Sequence, residues 1–205
     1  KALQDTDVPV PRMYALCEDT DVIGTKFYVM EWVDGRVFTE TRLPELQPRE
    51  RRAIYLDLAR VLAKLHNVDP ESVGLGDFGK PGNYYERQIG RWSKQYLASK
   101  TEEIEAMDKL MDWLPKNIPE QPKTVIVHGD YRLGNTLIHP TEPRIVAVLD
   151  WELSTLGDGL ADLGYICQDY HGESYEDMGL AGADLEALGI PTEQEMVDEY
   201  CRHAG

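Results

Sequence analysis

Cysteine, extended apolar stretches and positive charge are all in short supply in this 205-residue chain. Its three cysteines, Cys17, Cys167 and Cys201, are far apart and form no C-x-x-C pair, which points to neither a disulfide framework nor a zinc site. No apolar run approaches the roughly 18 residues of a membrane span, and no signal-peptide core opens the chain. A reducing, cytoplasmic setting is the expectation. Lys and Arg number 21 against 37 Asp and Glu, for a formal net charge of −16. That balance argues against nucleic-acid binding, which needs a basic footprint. The acidic surplus near the C-terminus (Glu173, Glu176, Asp177, Asp184, Glu186, Glu193, Glu195, Asp198 and Glu199) reads as a solvated face. No repeat, low-complexity tract or long linker interrupts an otherwise ordinary globular composition.

One stretch carries chemistry. Val127-His128-Gly129-Asp130-Tyr131-Arg132-Leu133-Gly134-Asn135 is followed about one hairpin later by Val148-Leu149-Asp150-Trp151-Glu152. Residues 124–128, 136–139 and 145–149 are short β-branched apolar runs, which read as three strands joined by turns. Gly129 and Gly134 would let the loop turn so that Asp130 and Asn135 face one point. Pro140 and Pro143 mark the turn into the strand that delivers Asp150. This set suits ATP-dependent phosphoryl transfer. Asp130 would accept the proton of an attacking hydroxyl, and Asn135 and Asp150 would give oxygen ligands to Mg2+ on the nucleotide phosphates. Two unit charges about 4 Å apart repel by roughly 4 kcal/mol at an effective dielectric of about 20, so converging carboxylates call for a cation. Hard oxygen donors favour magnesium over zinc. Any one of these residues alone would read as a turn residue.

The His-Gly-Asp loop with Asn five residues after the Asp resembles the aminoglycoside phosphotransferase-like (protein-kinase-like) superfamily. Phe27-Tyr-Val-Met-Glu-Trp-Val-Asp-Gly35 is similar to the kinase hinge. The resemblance implies Met30 as gatekeeper, with the Glu31 carbonyl and Val33 amide facing adenine. Thr155-Leu-Gly157-Asp158-Gly-Leu-Ala-Asp162 resembles the family's Gly-Asp-Pro-x-x-Asp stretch, with Gly159 in place of Pro. It implies that Asp158 caps the following helix and that Asp162 binds the backbone of the His-Gly-Asp loop, both as structural support. Val8-Pro-Val-Pro11, residues 24–30, residues 127–133 and residues 149–158 resemble the phosphotransferase domain associated with acyl-CoA dehydrogenases. That likeness implies a fused or co-encoded dehydrogenase, and hydroxylated acyl chains or their CoA thioesters as acceptors more than aminoglycosides. The chain's acidity would instead favour a polycation and repel CoA at long range, unless a local basic patch receives its phosphates.

The resemblance also implies elements that are not seen: a phosphate-covering hairpin, a strand Lys and its helix Glu. Lys1 and Lys26 lack that context. Residues 1–26 read as a helix end, an extended Val8–Pro11 segment and a hairpin through residues 19–24. The expected fold is therefore α+β and protein-kinase-like. Residues 1–32 would be a remnant of the N-terminal β lobe, 33–36 the hinge and 37–205 the helical catalytic lobe, truncated after a capping box at Thr192 and Glu195. Such a piece is expected to be inactive by itself.

A helix is expected over 48–66, with Pro48 in its first turn, Asn67 as the stop and Ile54, Leu58, Val61, Leu62 and Leu65 on one face. Asn83 and Thr101 read as caps of two further helices. Their Trp92, Tyr96 and Trp113 read either as core aromatics or as an acyl pocket. Arg132 either approaches the transferred phosphoryl or pairs with a neighbouring carboxylate. His128 reads as a loop anchor, His66 as a packed or capping residue, and Glu152 as either a reach to metal-bound water or a solvated side chain. Two functions remain open: a small-molecule kinase acting on a hydroxyl, and a kinase-like nucleotide-binding regulatory module without turnover.

Overall fold

The computed structural model describes residues 1–121, 123–172 and 179–205; Glu173, Glu176 and Asp177 of the expected acidic face lie outside these. The spine is α1 (Pro48–Asn67), a 20-residue helix. It starts where expected, with Pro48 in the first turn and the Glu50 carboxylate accepting the Gln47 backbone N–H at 3.1 Å. Ile54, Leu58, Val61, Leu62 and Leu65 are all buried. Asn67 is still helical and Val68 forms the C-cap, so the stop falls one residue later. The Asn67 side chain instead donates to the carbonyl of His203. That bond helps dock α6 (Glu193–Ala204), the main packing partner of α1. The capping box at Thr192 and Glu195 is present. Its Glu195 also pairs with Arg52 of α1, so part of the acidic surplus braces helices.

Four short strands, β3 to β6, lie about the polar loop, and two more form an outlying hairpin. In that hairpin β1 (Met13–Cys17) pairs antiparallel with β2 (Phe27–Met30). Tyr14, Leu16, Tyr28, Val29 and Met30 on it are exposed. The preceding segment behaves differently, because Leu3 and Val8 enter the main core and the Pro9 carbonyl accepts the Val148 N–H at 2.8 Å. The expected helix end there is a series of turns.

Strands β3 (Val125–Val127), β4 (Thr136–Ile138) and β5 (Ile145–Val148) form where the apolar runs lie. Their pairing divides them. β4 and β5 make a hairpin, whereas β3 pairs with β6 (Thr155–Gly157), a strand the sequence did not suggest. Two two-stranded sheets thus hold the two ends of the polar loop. The chain continues into α4 (Leu160–His171) and a one-turn α5 (Leu185–Leu188).

The helices α2 (Tyr84–Ser99) and α3 (Glu105–Trp113) stand apart and bury only Tyr84. Asn83 occupies the N-cap of α2 with φ 50° and makes no side-chain cap bond. Thr101 does not cap α3, whose N-cap is Ile104. Trp92 and Trp113 are 48% and 57% exposed, which rules out ordinary core aromatics.

Candidate active site

The polar loop leaves β3 at His128 and reaches β4 through a 3-10 turn over Leu133–Asn135. Gly129 makes the turn with φ +85°, and a Cβ there would lie 2.6 Å from the Leu153 carbonyl oxygen, so no other residue fits without movement. Gly134 acts differently from expectation. It is not among the residues with positive φ, and an added Cβ would meet the Arg132 guanidinium at 2.6 Å. Its contribution is space for Arg132.

His128 is completely buried and bonded on every side. Its Nδ1 accepts the Asp130 backbone N–H at 3.2 Å, which leaves Nε2 as the protonated nitrogen facing the Leu149 carbonyl at 2.8 Å. Burial lowers the His128 pKa against the smaller opposing effect of the Leu149 bond, so the ring is neutral. The indole of Trp151 stacks at a tilt on this ring, with centroids 4.6 Å apart. One imidazole therefore ties the residue before Asp150 to the residue that is Asp130.

Beneath the loop, the Asp162 carboxylate accepts the backbone N–H groups of His128 at 2.7 Å and Gly129 at 2.9 Å. His66 Nε2 stands 3.3 Å from Asp162, and His66 Nδ1 bonds the Tyr200 hydroxyl at 2.8 Å, extending the support into α1 and α6. Asp158 Oδ1 accepts the Leu160 N–H at 2.9 Å at the start of α4. Tyr131, fully buried, donates its hydroxyl to the Leu58 carbonyl and fixes the loop from α1.

The amide of Asn135 donates from Nδ2 to both the Asp130 carbonyl (2.9 Å) and the Asp130 carboxylate (2.8 Å). Its Oδ1 is thereby turned away from Asp130. The Asn135 carbonyl accepts the Leu149 N–H at 2.9 Å, which brings Asp150 beside the turn. Asp150 adopts φ 64°, ψ 60°, a left-handed backbone unusual for a residue with a side chain. Its exposed carboxylate has no hydrogen-bond partner among the described residues. Two oxygen donors from Asn135 and Asp150 fit Mg2+, which keeps water and phosphate oxygens in its shell. No cluster of three or more His, Cys, Asp or Glu able to enclose a metal occurs among the described residues. Glu152 is exposed.

Arg132 Nε lies 3.4 Å from Asp130 Oδ1, with the Arg132 side chain 45% exposed. Burial works to raise the Asp130 pKa, but the neighbouring Tyr165 hydroxyl, the Asn135 hydrogen bond and the Arg132 charge outweigh it, so the carboxyl sits below its usual range.

The segment expected to be the hinge follows β2 and runs to β4. Met30 ends β2 and is 41% exposed, Val33 is half-buried, and the Glu31 N–H bonds the Arg12 carbonyl at 2.8 Å. Arg36 then stitches the segment to β4 by exchanging both backbone bonds with Ile138, at 2.7 and 2.8 Å. Its guanidinium also donates to the carbonyls of His139 and Glu142.

Residues 1–198 match the phosphotransferase enzyme family, APH. The chain belongs to that family. A solved structure of a putative aminoglycoside phosphotransferase from Ralstonia eutropha JMP134 superimposes with a TM-score of 0.94 at 56% identity, covering 100% of this chain and 63% of that one. An aminoglycoside-3'-phosphotransferase of type VIII shares the fold at a TM-score of 0.62 and 21% identity, over 99% of this chain and 68% of that one. Among curated proteins, mouse "Acyl-CoA dehydrogenase family member 10" is 45% identical over 100% of this chain and 19% of its own length. Human "Acyl-CoA dehydrogenase family member 11" is 43% identical over 100% of this chain and 26% of its own length. The chain thus spans about a fifth to a quarter of these curated relatives, and the fold is the kinase-like one of the phosphotransferases.

In this phosphotransferase-family domain, three polar residues at or near the centre were not legible beforehand. Tyr165 and Asp169 lie on α4 at positions three and seven after Asp162. The phenol of Tyr165 is pushed up to about 12, first by burial and then by the neighbouring Asp130 carboxylate. Burial raises the Asp169 carboxyl, with the Arg132 charge opposing it. The third is Arg36. The 3.6-residue period of α4 from Asp162 is the signal that would have found the first two.

Proposed function

We propose that the chain is the catalytic lobe of an ATP- and Mg2+-dependent phosphotransferase that moves the γ-phosphoryl group to a hydroxyl of a small molecule. The observation that carries this reading is the pair of hydrogen bonds that Asn135 Nδ2 donates to Asp130. It orients the carboxylate of Asp130 and leaves Asn135 Oδ1 facing away from it. Asn135 Oδ1 and the Asp150 carboxylate would hold the metal, which when bound neutralises phosphate charge. The Glu31 carbonyl and Val33 amide would face the adenine edge, with Met30 behind them.

Asp130 receives the proton of the acceptor hydroxyl as its oxygen forms a bond to the γ-phosphorus. The bond from that phosphorus to the β–γ bridging oxygen breaks, and ADP leaves. Arg132, half-exposed beside Asp130, offsets charge on the transferred group. His128, neutral and bonded at both nitrogens, does not compete for the proton. The acceptor is a hydroxyacyl-CoA or hydroxy acid in preference to an aminoglycoside. The 43–45% identity to proteins named as acyl-CoA dehydrogenase family members supports this acceptor class and, with it, a fused or co-encoded dehydrogenase partner.

The test is ATP consumption with magnesium by the longest natural polypeptide containing this chain. Hydroxyacyl-CoAs, hydroxy acids, aminoglycosides and simple alcohols are each offered as acceptors. Stimulation by the hydroxyacyl compounds is expected. Nucleotide binding with no stimulation by any class would replace this reading with that of a regulatory module.

A further inference from the structure

Gly159 stands where the Gly-Asp-Pro-x-x-Asp stretch would have proline, and its surroundings give that departure a physical reason. Its φ of −62° is one that proline also adopts, so backbone freedom does not call for glycine. Space does. An added Cβ would lie 2.6 Å from His66 Nδ1 and 2.9 Å from His66 Cε1, so a side chain at 159 would displace the imidazole.

The ring in that space joins three helices. His66 of α1, Asp162 of α4 and Tyr200 of α6 are all buried. The Tyr200 hydroxyl lies 2.8 Å from His66 Nδ1, and His66 Nε2 lies 3.3 Å from Asp162 Oδ2. Asp162 already accepts the His128 amide on Oδ2 and the Gly129 amide on Oδ1. A carboxylate accepting on both oxygens needs a donor from the imidazole, which places the ring proton on Nε2 and leaves Nδ1 to accept from Tyr200. Burial pushes the Tyr200 phenol up to about 12, so it keeps the proton it donates. The reverse tautomer would set a nitrogen lone pair against the oxygen that holds the His128 amide, where low local dielectric leaves the repulsion poorly screened.

We infer that Tyr200 is a positioning residue for the loop that carries Asp130. Its hydroxyl fixes the Nε2–H tautomer of His66, that N–H holds the Asp162 carboxylate, and Asp162 holds the two amides that precede Asp130. Gly159 keeps the room in which this relay forms. The effect on turnover rests on the proposed role of Asp130 as proton acceptor; the relay itself does not.

The experiment uses the longest natural polypeptide containing the chain and has three arms. The first is 15N NMR of the parent's His66 ring, which is expected to carry its proton on Nε2 with Nδ1 bare; a proton on Nδ1 overturns the inference. The second is amide hydrogen exchange in Tyr200→Phe. His128 and Gly129 are expected to exchange about 10-fold faster relative to Ile138, whose amide bonds the Arg36 carbonyl outside the relay. A uniform change at all three amides, the mark of a merely structural role, overturns the inference, as does no change. The third is acceptor-dependent kcat and KM for ATP. Misplacing a catalytic group by about 1 Å costs on the order of 100-fold, and loss of one hydroxyl at the far end of the relay is expected to lower kcat about 10-fold with KM for ATP unchanged. If Tyr200→Phe matches the parent while Asp130→Asn abolishes turnover, this inference fails and the proposed function stands. If Asp130→Asn leaves turnover unchanged, the proposed function fails and the first two arms decide the inference. Should Tyr200→Phe not fold, the ring tautomer of the parent decides it.

Discussion

The carboxylate of Asp162 holds the backbone amide of His128 at 2.7 Å from an element 34 positions further along the chain. Both residues are buried, and the same carboxylate takes the Gly129 amide. The loop that presents Asp130 is therefore shaped by a group that never reaches the surface.

Removing that group should show in stability before chemistry. Asp162→Ala leaves the buried His128 N–H and the part-buried Gly129 N–H without an acceptor, and a buried group so stranded costs about 1–3 kcal/mol. A loss of roughly 2–5 kcal/mol in urea unfolding is expected. Asp162→Asn keeps one acceptor oxygen and should cost less; an Ala variant as stable as the parent would contradict the support role.

Asp150 combines an unusual backbone with an unpartnered carboxylate, and two substitutions separate them. Asn also tolerates the left-handed conformation, so Asp150→Asn should leave Tm nearly unchanged while raising the magnesium needed for half-maximal activity. Asp150→Val should cost about 1–2 kcal/mol from backbone strain alone. Unchanged magnesium dependence in Asp150→Asn would remove Asp150 from the metal site.

Burial depresses the His128 pKa, with the Leu149 bond opposing. Folding therefore excludes a proton that the unfolded chain takes up below about pH 6.5. The stability contributed by the neutral ring is full above that pH and declines as pH falls toward the lowered folded value. An NMR titration of the His128 ring is expected to give a midpoint below about 6.5, and a midpoint above it would contradict the buried, doubly bonded ring.

Much of this architecture was legible because local pattern and tertiary role agree. The stripe of Ile54, Leu58, Val61, Leu62 and Leu65 gives α1 to within a residue. The β-branched runs give β3, β4 and β5. Pairing was not legible, because the partner of β3 is the three-residue β6, which ends in Gly157 and has no alternation to reveal it. Asn83 does sit at the N-cap of α2, though its side chain makes no cap bond, whereas Thr101 misled, since the N-cap of α3 is Ile104. Asp130, Asn135 and Asp150 were visible as a motif because they lie close in sequence, on the loop between β3 and β4 and just past the β4–β5 hairpin. Tyr165 and Asp169 were not, because polar residues on a helix resemble a solvated face until Asp162 fixes which side meets the loop.

The central claim is that Asp130 takes the proton of the acceptor hydroxyl. Its most direct test is Asp130→Asn, which keeps the shape and an acceptor for Asn135 while removing the base, read by acceptor-dependent turnover alongside binding of ATP with magnesium. The account predicts turnover reduced by at least about 100-fold with nucleotide affinity retained. Turnover equal to the parent's, with nucleotide bound as before, would contradict it.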